Sequence, residues 1–207
     1  MNKTKPPEII RIKDRAGSIL YQCEAVTIKQ ALSCAISAGV TIENVDLSYM
    51  DLSFADFDDG VFFNVSFKGA NLTGANLSET SIQGCDFTES SLVAACLAYA
   101  CVNVSQFLFA DFAATDFTCA TLLRCDFSGP SVFNIDFSNV DALVQACLYD
   151  DMHKDYMHLC GDQLRFAAGK CKYIVNQDNM YVNGCIQRTE NSFIGYIHRE
   201  LGMREAA

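Results

Sequence analysis

The sequence lacks several features that mark common protein classes. Its longest uninterrupted apolar run, Leu92–Val102, is too short to span a bilayer. Residues 1–8 contain two lysines and two prolines but no apolar stretch, so we expect no signal peptide. No GxSxG, P-loop or GxGxxG motif is present, which argues against the enzymes that those motifs mark. We therefore expect a protein that is not an enzyme and does not insert into membranes.

Basic residues are also scarce. The 207 residues include 15 Lys and Arg against 25 Asp and Glu, a formal net charge of −10. Nucleic acids and anionic membranes attract basic surfaces, so neither is expected as a direct partner. Half of the residues are hydrophobic, which excludes a disordered acidic tail and allows one or two domains with a sizeable core.

The chain has 11 cysteines, an odd number in a long sequence. This argues for reduced thiols in the cytoplasm rather than for a secreted disulfide scaffold. Four cysteines replace small apolar residues and are predicted to be inert: Cys23, Cys34, Cys85 and Cys125. Three are predicted to face outward and to be the reactive ones: Cys96, Cys101 and Cys119.

No metal or cofactor is expected. His153 and His158 lie near Cys147 and Cys160 in the sequence. The cysteines of this region are nevertheless separated by ten residues or more, whereas structural zinc sites use closely spaced pairs.

A repeat of five residues runs through the middle of the chain, from Val40 to Val144. In all 21 blocks the third residue is apolar, the first is usually small, and the second is often Asp or Asn. The register holds without a slip over 105 residues. A period of five fits neither a helix nor a flat strand, but it fits a solenoid in which each block forms one side of a coil.

The blocks ADFDD at 55–59 and ANLTG-ANLSE at 70–79 show the pattern most clearly. They resemble the pentapeptide-repeat family, whose motif is A(D/N)LXX. The resemblance implies an all-β fold, a right-handed quadrilateral β-helix with four blocks per coil. It predicts about five coils and, at a strand spacing of about 4.8 Å, a rod about 25 Å long.

Four blocks per coil sort the third-position residues into four inner columns, which we name by their first members. The Leu47 column continues with Phe67, Phe87, Phe107 and Phe127, a predicted stack of phenylalanines. The other columns begin at Leu52, Phe57 and Ile42, and the Ile42 column is predicted to end at Ala142. We interpret all of these residues as packing rather than as a ligand pocket.

The ends are predicted to be small α+β caps, giving segments 1–39, 40–144 and 145–207. Residues 8–25 read as a hairpin that turns at 14–17, and Thr27 begins a short helix that ends at Gly39. This lead-in resembles that of pentapeptide-repeat proteins often found in bacteriophage genomes. In the C-terminal segment we predict a helical or loop element at 161–172, a hairpin at 172–186 and a helix at 191–201. This segment is either a cap or a module for a partner, including a second copy, because family members can dimerise through their C-terminal ends.

The negative charge is concentrated on the repeat. Residues 40–144 hold 14 acids and two bases, whereas residues 1–39 carry +3 and residues 145–207 carry −1. The face that follows the Leu47 column shows Asp46, Asp86, Glu89 and Asp126. The face that follows the Phe57 column shows Asp56, Asp58, Asp59, Glu79, Asp116 and Asp136. The other two faces carry two acids each, Asp51 and Asp111 on one, Glu43 and Asp141 on the other.

Two functions remain open. The resemblance implies that such acidic faces mimic DNA, since some family members are thought to do so on DNA gyrase. The partner would then be a DNA-binding protein such as gyrase or a host defence nuclease. This chain lacks the register-breaking loops on which some gyrase-protecting members depend. Asp and Asn also cap turns and aid solubility, which is a competing account of the acids.

The alternative is an interaction or assembly scaffold of phage origin. Residues 90–109 carry no charge, and an apolar girdle is predicted there at the outward residues Val93, Tyr99, Leu108 and Phe109. The terminal segments either cover this girdle or leave it as an interface. A scaffold would bind through the girdle or through the terminal segments.

Overall fold

The computed structural model describes residues 5–128, 140–144, 147–150, 155–160, 163–168, 171–175, 179–182 and 185–188. Side chains are described for residues 5–127, 140 and 141.

The N-terminal segment is a hairpin followed by a helix. Strands β1 (Glu8–Lys13) and β2 (Ile19–Ala25) pair antiparallel, and in the turn the Ser18 N–H donates to Asp14 Oδ1 at 2.7 Å. Helix α1 (Ile28–Ser37) begins where Gln30 N–H donates to Thr27 Oγ1 at 3.2 Å. The predicted hairpin and the helix that Thr27 begins are confirmed.

Helix α1 packs against the first coil of the repeat. Its buried Leu32 and Ala35 belong to the same hydrophobic core as Ile42. Two of its side chains donate to backbone carbonyls of the coil: Ser33 Oγ to Asp56 O at 2.6 Å, and Lys29 Nζ to Ser53 O at 2.9 Å. The helix thereby satisfies carbonyls that have no coil below them.

The repeat forms coils of 20 residues. On one side, short strands pair in parallel with each partner 20 residues away: β3 (Ile42–Glu43), β4 (Val61–Phe63), β5 (Ser81–Gln83), β6 (Cys101–Asn103) and β7 (Thr121–Leu123). On the other three sides, isolated parallel bridges keep the same offset, as in Asp46↔Ser66, Asp51↔Asn71 and Asp56↔Asn76. The predicted four blocks per coil are confirmed. We name the faces after their inner columns: the Ile42, Leu47, Leu52 and Phe57 faces.

The core is narrow and is filled by two residues of each block. Between residues 41 and 127 every third-position side chain is buried, and nearly every first-position residue beside it is buried too. Phe67, Phe87, Phe107 and Phe127 form the predicted stack, with successive ring centroids 4.8, 4.7 and 4.9 Å apart. Buried hydroxyls at first positions reach backbone carbonyls, for example Thr80 Oγ1 to Leu77 O at 2.6 Å. Ser90 Oγ is buried without a hydrogen-bond partner in the described part of the chain.

The fifth residue of each block turns the chain through each corner in a left-handed conformation. From Asn44 to Arg124, all 17 fifth positions have φ between +51° and +66°, and 14 of them are not glycine. Such φ values are uncommon outside glycine, asparagine and aspartate, and a β-branched residue such as Val104 rarely adopts them. The corner conformation therefore belongs to the coil and not to the residue type.

The expected uninterrupted register is wrong at its end. Strand β9 (Ala142–Val144) pairs with β7 so that Leu143, not Ala142, is the Cα partner of Leu122, an offset of 21 residues. The next strand, β10 (Cys147–Asp150), keeps this offset against β8 (Asp126–Ser128), because Leu148 pairs with Phe127. The slip places a leucine instead of an alanine in register with Leu122, and leucine has more apolar surface to bury.

The C-terminal segment continues as an antiparallel meander. Beyond β10 it forms β11 (Asp155–Cys160), β12 (Gln163–Ala168), β13 (Cys171–Val175), β14 (Asn179–Val182) and β15 (Cys185–Arg188). Each strand pairs with the next, in one sheet that begins at β8 of the repeat. The predicted hairpin at 172–186 is confirmed by the pairing of β13 with β14.

The prediction of a helical or loop element at 161–172 is wrong, because β12 and the start of β13 occupy it. Leu164, Phe166 and Ala168 alternate with Arg165 and Ala167 there, a period of two that favours a strand. The predicted helix at 191–201 lies outside the described residues.

Candidate protein-binding surfaces

The acids at second positions hold the turn of their own block. In each such turn, the backbone N–H two residues later donates to the carboxylate: Ser48 to Asp46 at 3.0 Å, Ser53 to Asp51 at 3.1 Å, Thr118 to Asp116 at 2.9 Å. Asn71 and Asn76 accept equivalent bonds. These are Asx turns, which explains why Asp and Asn recur at this position.

The same bonds lower the pKa values of three carboxyl groups. Hydrogen bonds from the side chain and then the backbone of Ser48 lower the pKa of Asp46, and those from Ser53 do the same for Asp51. Thr118 lowers the pKa of Asp116 in the same way. A donor to a carboxylate favours its ionised form, so these turns keep their negative charge at neutral pH.

Acids at second positions do not stack directly on one another in the part of the rod up to residue 127. On the Leu47 face the bridged column reads Asp46, Ser66, Asp86, Gln106, Asp126. On the Phe57 face Asn76 lies between acids, and its Nδ2 donates to Asp56 Oδ1 at 3.0 Å. The intervening neutral residues keep these carboxylates two or three coils apart, roughly 10–14 Å, which limits their mutual repulsion.

The structure brings four predicted acids together on two neighbouring coils. Asp56, Asp58, Asp59 and Glu79 are all exposed at the Phe57 face and its corner, and we call them the acidic cluster. Ser78 Oγ donates to Asp58 Oδ1 at 2.6 Å. The two ion pairs found in the described chain, Lys5–Glu8 and Lys29–Asp51, leave the cluster without a cationic neighbour.

The remaining predicted acids are more dispersed. Asp116 is exposed three coils beyond Asp56, and Asp136 lies outside the described residues. On the Leu47 face Asp46 and Glu89 are exposed, whereas Asp86 and Asp126 are half-buried. Basic side chains of the N-terminal segment reach the first coil, since Arg15 contributes to the lowered pKa of Asp46 and Lys29 Nζ lies 3.9 Å from Asp51 Oδ2. The acidic cluster is therefore the most concentrated negative surface of the described rod.

The residues of the predicted apolar girdle do not form one patch. Tyr99 and Phe109 are exposed, and Val93 and Leu108 are half-buried. Tyr99 and Phe109 are ten residues apart in a coil of 20, so they occupy opposite corners of the rod. A partner that contacts both would have to surround half of the rod.

Sequence reasoning missed two exposed aromatic residues of the first coil. Tyr49 and Phe54 are 70% and 79% exposed at adjacent corners. Each ring lies over the glycine 20 residues later: a Cβ at Gly69 would come within 2.5 Å of the Tyr49 ring, and one at Gly74 within 2.6 Å of the Phe54 ring. The signal was the aromatic–glycine spacing of one coil.

The cysteines divide as predicted where their side chains are described. Burial raises the pKa of Cys85 to about 11 and that of Cys125 to about 12, so neither forms a thiolate readily. Cys101 and Cys119 are exposed, and Cys96 is half-buried. Within the described chain, no three His, Cys, Asp or Glu side chains come together as metal ligands. That part also holds no helix with the length and apolar character of a membrane span.

These observations define a solenoid built from five-residue blocks, with turn-capping Asp and Asn and an apolar column on each side. The pentapeptide-repeat family model matches in eight copies over residues 42–78 and 70–103. The chain belongs to the pentapeptide-repeat family, whose members adopt right-handed quadrilateral β-helices.

Several solved structures are similar to parts of the chain. QnrB1, described as a plasmid-mediated fluoroquinolone resistance protein, is 21% identical over 51% of this chain, with a TM-score of 0.39. The alignment spans 60% of the QnrB1 chain. Rfr23 of the cyanobacterium Cyanothece 51142 is 12% identical, over 59% of this chain and 95% of its own, with a TM-score of 0.44. The alr5209 protein of Nostoc PCC 7120 is 20% identical, over 60% and 96%, with a TM-score of 0.34. No curated protein matches the sequence.

Proposed function

We propose that this protein is a non-enzymatic, cytoplasmic rod of about five coils, capped at both ends, that binds another protein by mimicking DNA. The partner is a DNA-binding protein, either DNA gyrase or a host defence nuclease. The acidic faces take the place of the phosphate backbone in the partner's basic groove, and neither a cofactor nor direct contact with nucleic acid is required.

The acidic cluster carries this proposal. Turn capping accounts for Asp56, because Asp58 N–H donates to its carboxylate at 3.4 Å and Asn76 contacts it as well. It does not account for Asp59 or Glu79, which stand at corner positions with φ near +55° and cap no turn in their blocks. Glutamate gains nothing from that conformation, so the shape of the coil does not explain its presence there.

Charge density supports the same function. The rod carries −12 between residues 40 and 144 over about 25 Å. B-DNA carries about 15 charges over that length, since it has one per roughly 1.7 Å. A basic groove that accommodates DNA would therefore meet a similar number of negative charges on this rod.

The test is displacement of a labelled duplex from purified gyrase, together with gyrase supercoiling in the presence of excess protein. We expect displacement that weakens steeply as salt rises from about 50 to 200 mM, because the attraction is electrostatic. The triple variant Asp58→Asn, Asp59→Asn, Glu79→Gln should weaken binding about ten-fold or more.

A matched control removes the same charge elsewhere, as Glu8→Gln, Glu24→Gln and Glu43→Gln, and should bind like the parent. Equal losses in both triple variants would show that only net charge matters, which contradicts a specific mimic. Supercoiling that stays unaffected by excess protein would exclude gyrase, and the same displacement assay would then be run with a DNA-degrading defence nuclease.

A scaffold of phage origin is the second candidate, favoured by the exposure of Tyr99 and Phe109. Its binding would persist in high salt, because apolar contacts are not screened. Tyr99→Asp or Phe109→Asp would abolish it, whereas the acidic triple variant would leave it unchanged.

A further inference from the structure

The Ile42 face differs from the other three faces in its backbone. Its blocks form three-residue strands from β4 to β7 that pair continuously, whereas blocks on the other faces meet through isolated bridges. It is therefore a flat parallel sheet whose second and fourth residues point outward. Flat sheets pack face to face on one another, with the sheets about 10 Å apart.

The same face is nearly uncharged. Among its outward residues from 41 to 124, the charged ones are Glu43 in the first coil and Arg124 in the fifth. The other three faces carry the acids of the rod, so a second copy approaching them would be repelled. Charge thus selects the Ile42 face as the surface on which another acidic rod can lie.

Exposed apolar side chains follow this face and its two corners. Val61 and Phe63 are 44% and 40% exposed on the second coil. Tyr99 and Val104 are 63% and 49% exposed at the two corners beside β6. Exposed apolar side chains that share one face of a sheet are a mark of an interface.

We propose that two copies of this chain associate through their Ile42 faces, with the rods parallel and the two-fold axis along the rods. A two-fold axis in this direction places each second position opposite the partner's fourth position in the same coil. Val61 then meets the partner's Phe63, and Tyr99 at one corner meets the partner's Val104 at the other. The acids at the corner meet neutral residues, Asp59 opposite Asn64 and Glu79 opposite Gly84.

The antiparallel arrangement is excluded by the same accounting. Reversing one rod places second positions opposite second positions and exchanges the second coil with the fourth. Val61 would face Cys101, Phe63 would face Asn103, and Glu79 would face its own copy at the centre. That arrangement loses both apolar matches and creates a like-charge contact, which is destabilising.

The size of the face sets the expected affinity. Five strands at about 4.8 Å spacing give a sheet roughly 24 Å long, and four residues across give a width of roughly 13 Å. Stable complexes bury about 800 Å² on each partner, which exceeds what this sheet offers. We therefore expect a weak dimer that dissociates on dilution and leaves the acidic cluster accessible on each copy.

The test is sedimentation equilibrium of the full chain over a concentration series that reaches about 1 mM, where a complex of about −4 kcal/mol is substantially populated. The parent should shift from monomer to dimer. Phe63→Glu should stay monomeric, and Phe54→Glu, an exposed aromatic residue on another face, should dimerise like the parent. A parent that is monomeric throughout, or a Phe63→Glu variant that still dimerises, would overturn the proposal.

Crosslinking with a short bismaleimide tests the orientation, in a background with Cys101→Ser and Cys119→Ser. Cysteine at Thr41 in the first coil should crosslink two parallel copies, because both first coils lie at the same level. Cysteine at Ser81 in the third coil should crosslink too, and cysteine at Asp111 on the Leu52 face should not. Crosslinking at Ser81 without crosslinking at Thr41 would contradict the parallel arrangement. Because no partner protein is present, these results are independent of the DNA-mimic proposal.

Discussion

At the scale of single residues, the corners carry the largest local cost of this fold. A non-glycine residue in the left-handed region costs roughly 1–2 kcal/mol, and 14 corner residues between 44 and 124 adopt it. Asn44, Asn64 and Asp59 belong to the residue types that tolerate this conformation best, whereas Val104 and Phe109 do not. Stacking of the coils must offset these costs, since the corner types alone would not select the coil.

Replacing a strained corner residue with glycine should stabilise the rod. For Val104→Gly we expect the free energy of unfolding to rise by about 0.5–1 kcal/mol, because relief of the left-handed strain exceeds the entropic cost of glycine. The matched control is Val61→Gly, a valine of similar exposure within a strand, which should lower stability by about 0.5–1 kcal/mol. Urea unfolding of dilute samples measures both. A loss of stability in both variants would contradict this account of the corners.

The Asx turns predict a dependence of stability on acid. Hydrogen bonds from Thr118 hold the pKa of Asp116 below its ordinary value of 3.8 in the folded rod. A depressed folded pKa contributes stability that is present above that ordinary value and is lost as the pH falls through the folded value. Thermal unfolding followed from neutral pH to below 3.8 should therefore show a steeper loss for the parent than for Asp116→Asn, which keeps the acceptor oxygen and cannot titrate. Parallel curves for the two proteins would show that this turn does not couple to protonation.

At the scale of elements, the phenylalanine stack joins four successive coils. Phe87 lies between Phe67 and Phe107, with ring planes within 13° and 7° of parallel. A contact of this kind, repeated in every coil, couples each coil to the next in the manner of a one-dimensional array. Loss of one ring therefore affects two coil–coil interfaces.

Removing the middle ring should be severe. We expect Phe87→Ala to lower the free energy of unfolding by about 3–5 kcal/mol, because it leaves a cavity in a core with no other residue to fill it. Phe87→Leu should cost less than about 1.5 kcal/mol, since leucine already serves in the other columns. Phe54→Ala, which removes an exposed ring, should stay within about 0.5 kcal/mol of the parent. Equal effects of Phe87→Ala and Phe54→Ala in urea unfolding would show that the stack does not support the rod.

The sequence was sufficient to predict the elements whose pattern is strictly periodic. The third-position columns, the four-block coil, the N-terminal hairpin and the helix begun by Thr27 all follow from spacing or from capping chemistry. The slip at Leu143 could not be predicted, because one alanine in an apolar column does not reveal which neighbour replaces it. The strand at 163–168 was missed because its alternation spans only six residues beside a glycine-containing stretch.

At the scale of the whole molecule, the four faces differ in charge, flatness and exposed apolar surface. Their composition could be read from the sequence, since sorting blocks by four assigns every acid to a face. Their local surroundings could not, because Lys29 and Arg15 reach the first coil only through the folding of the N-terminal segment. The acidic cluster stands out for this reason: it is the group of acids that those basic residues do not contact.

The 20-residue offset also determines how the rod tolerates changes in length. Removing residues 60–79 would delete one storey and leave every later side chain on its original face. Removing five residues would keep all apolar residues inside but rotate every later face by a quarter revolution. The acidic and uncharged surfaces would then wind around the rod instead of running along it. Surfaces of this kind can lengthen or shorten only in whole storeys if they are to stay continuous.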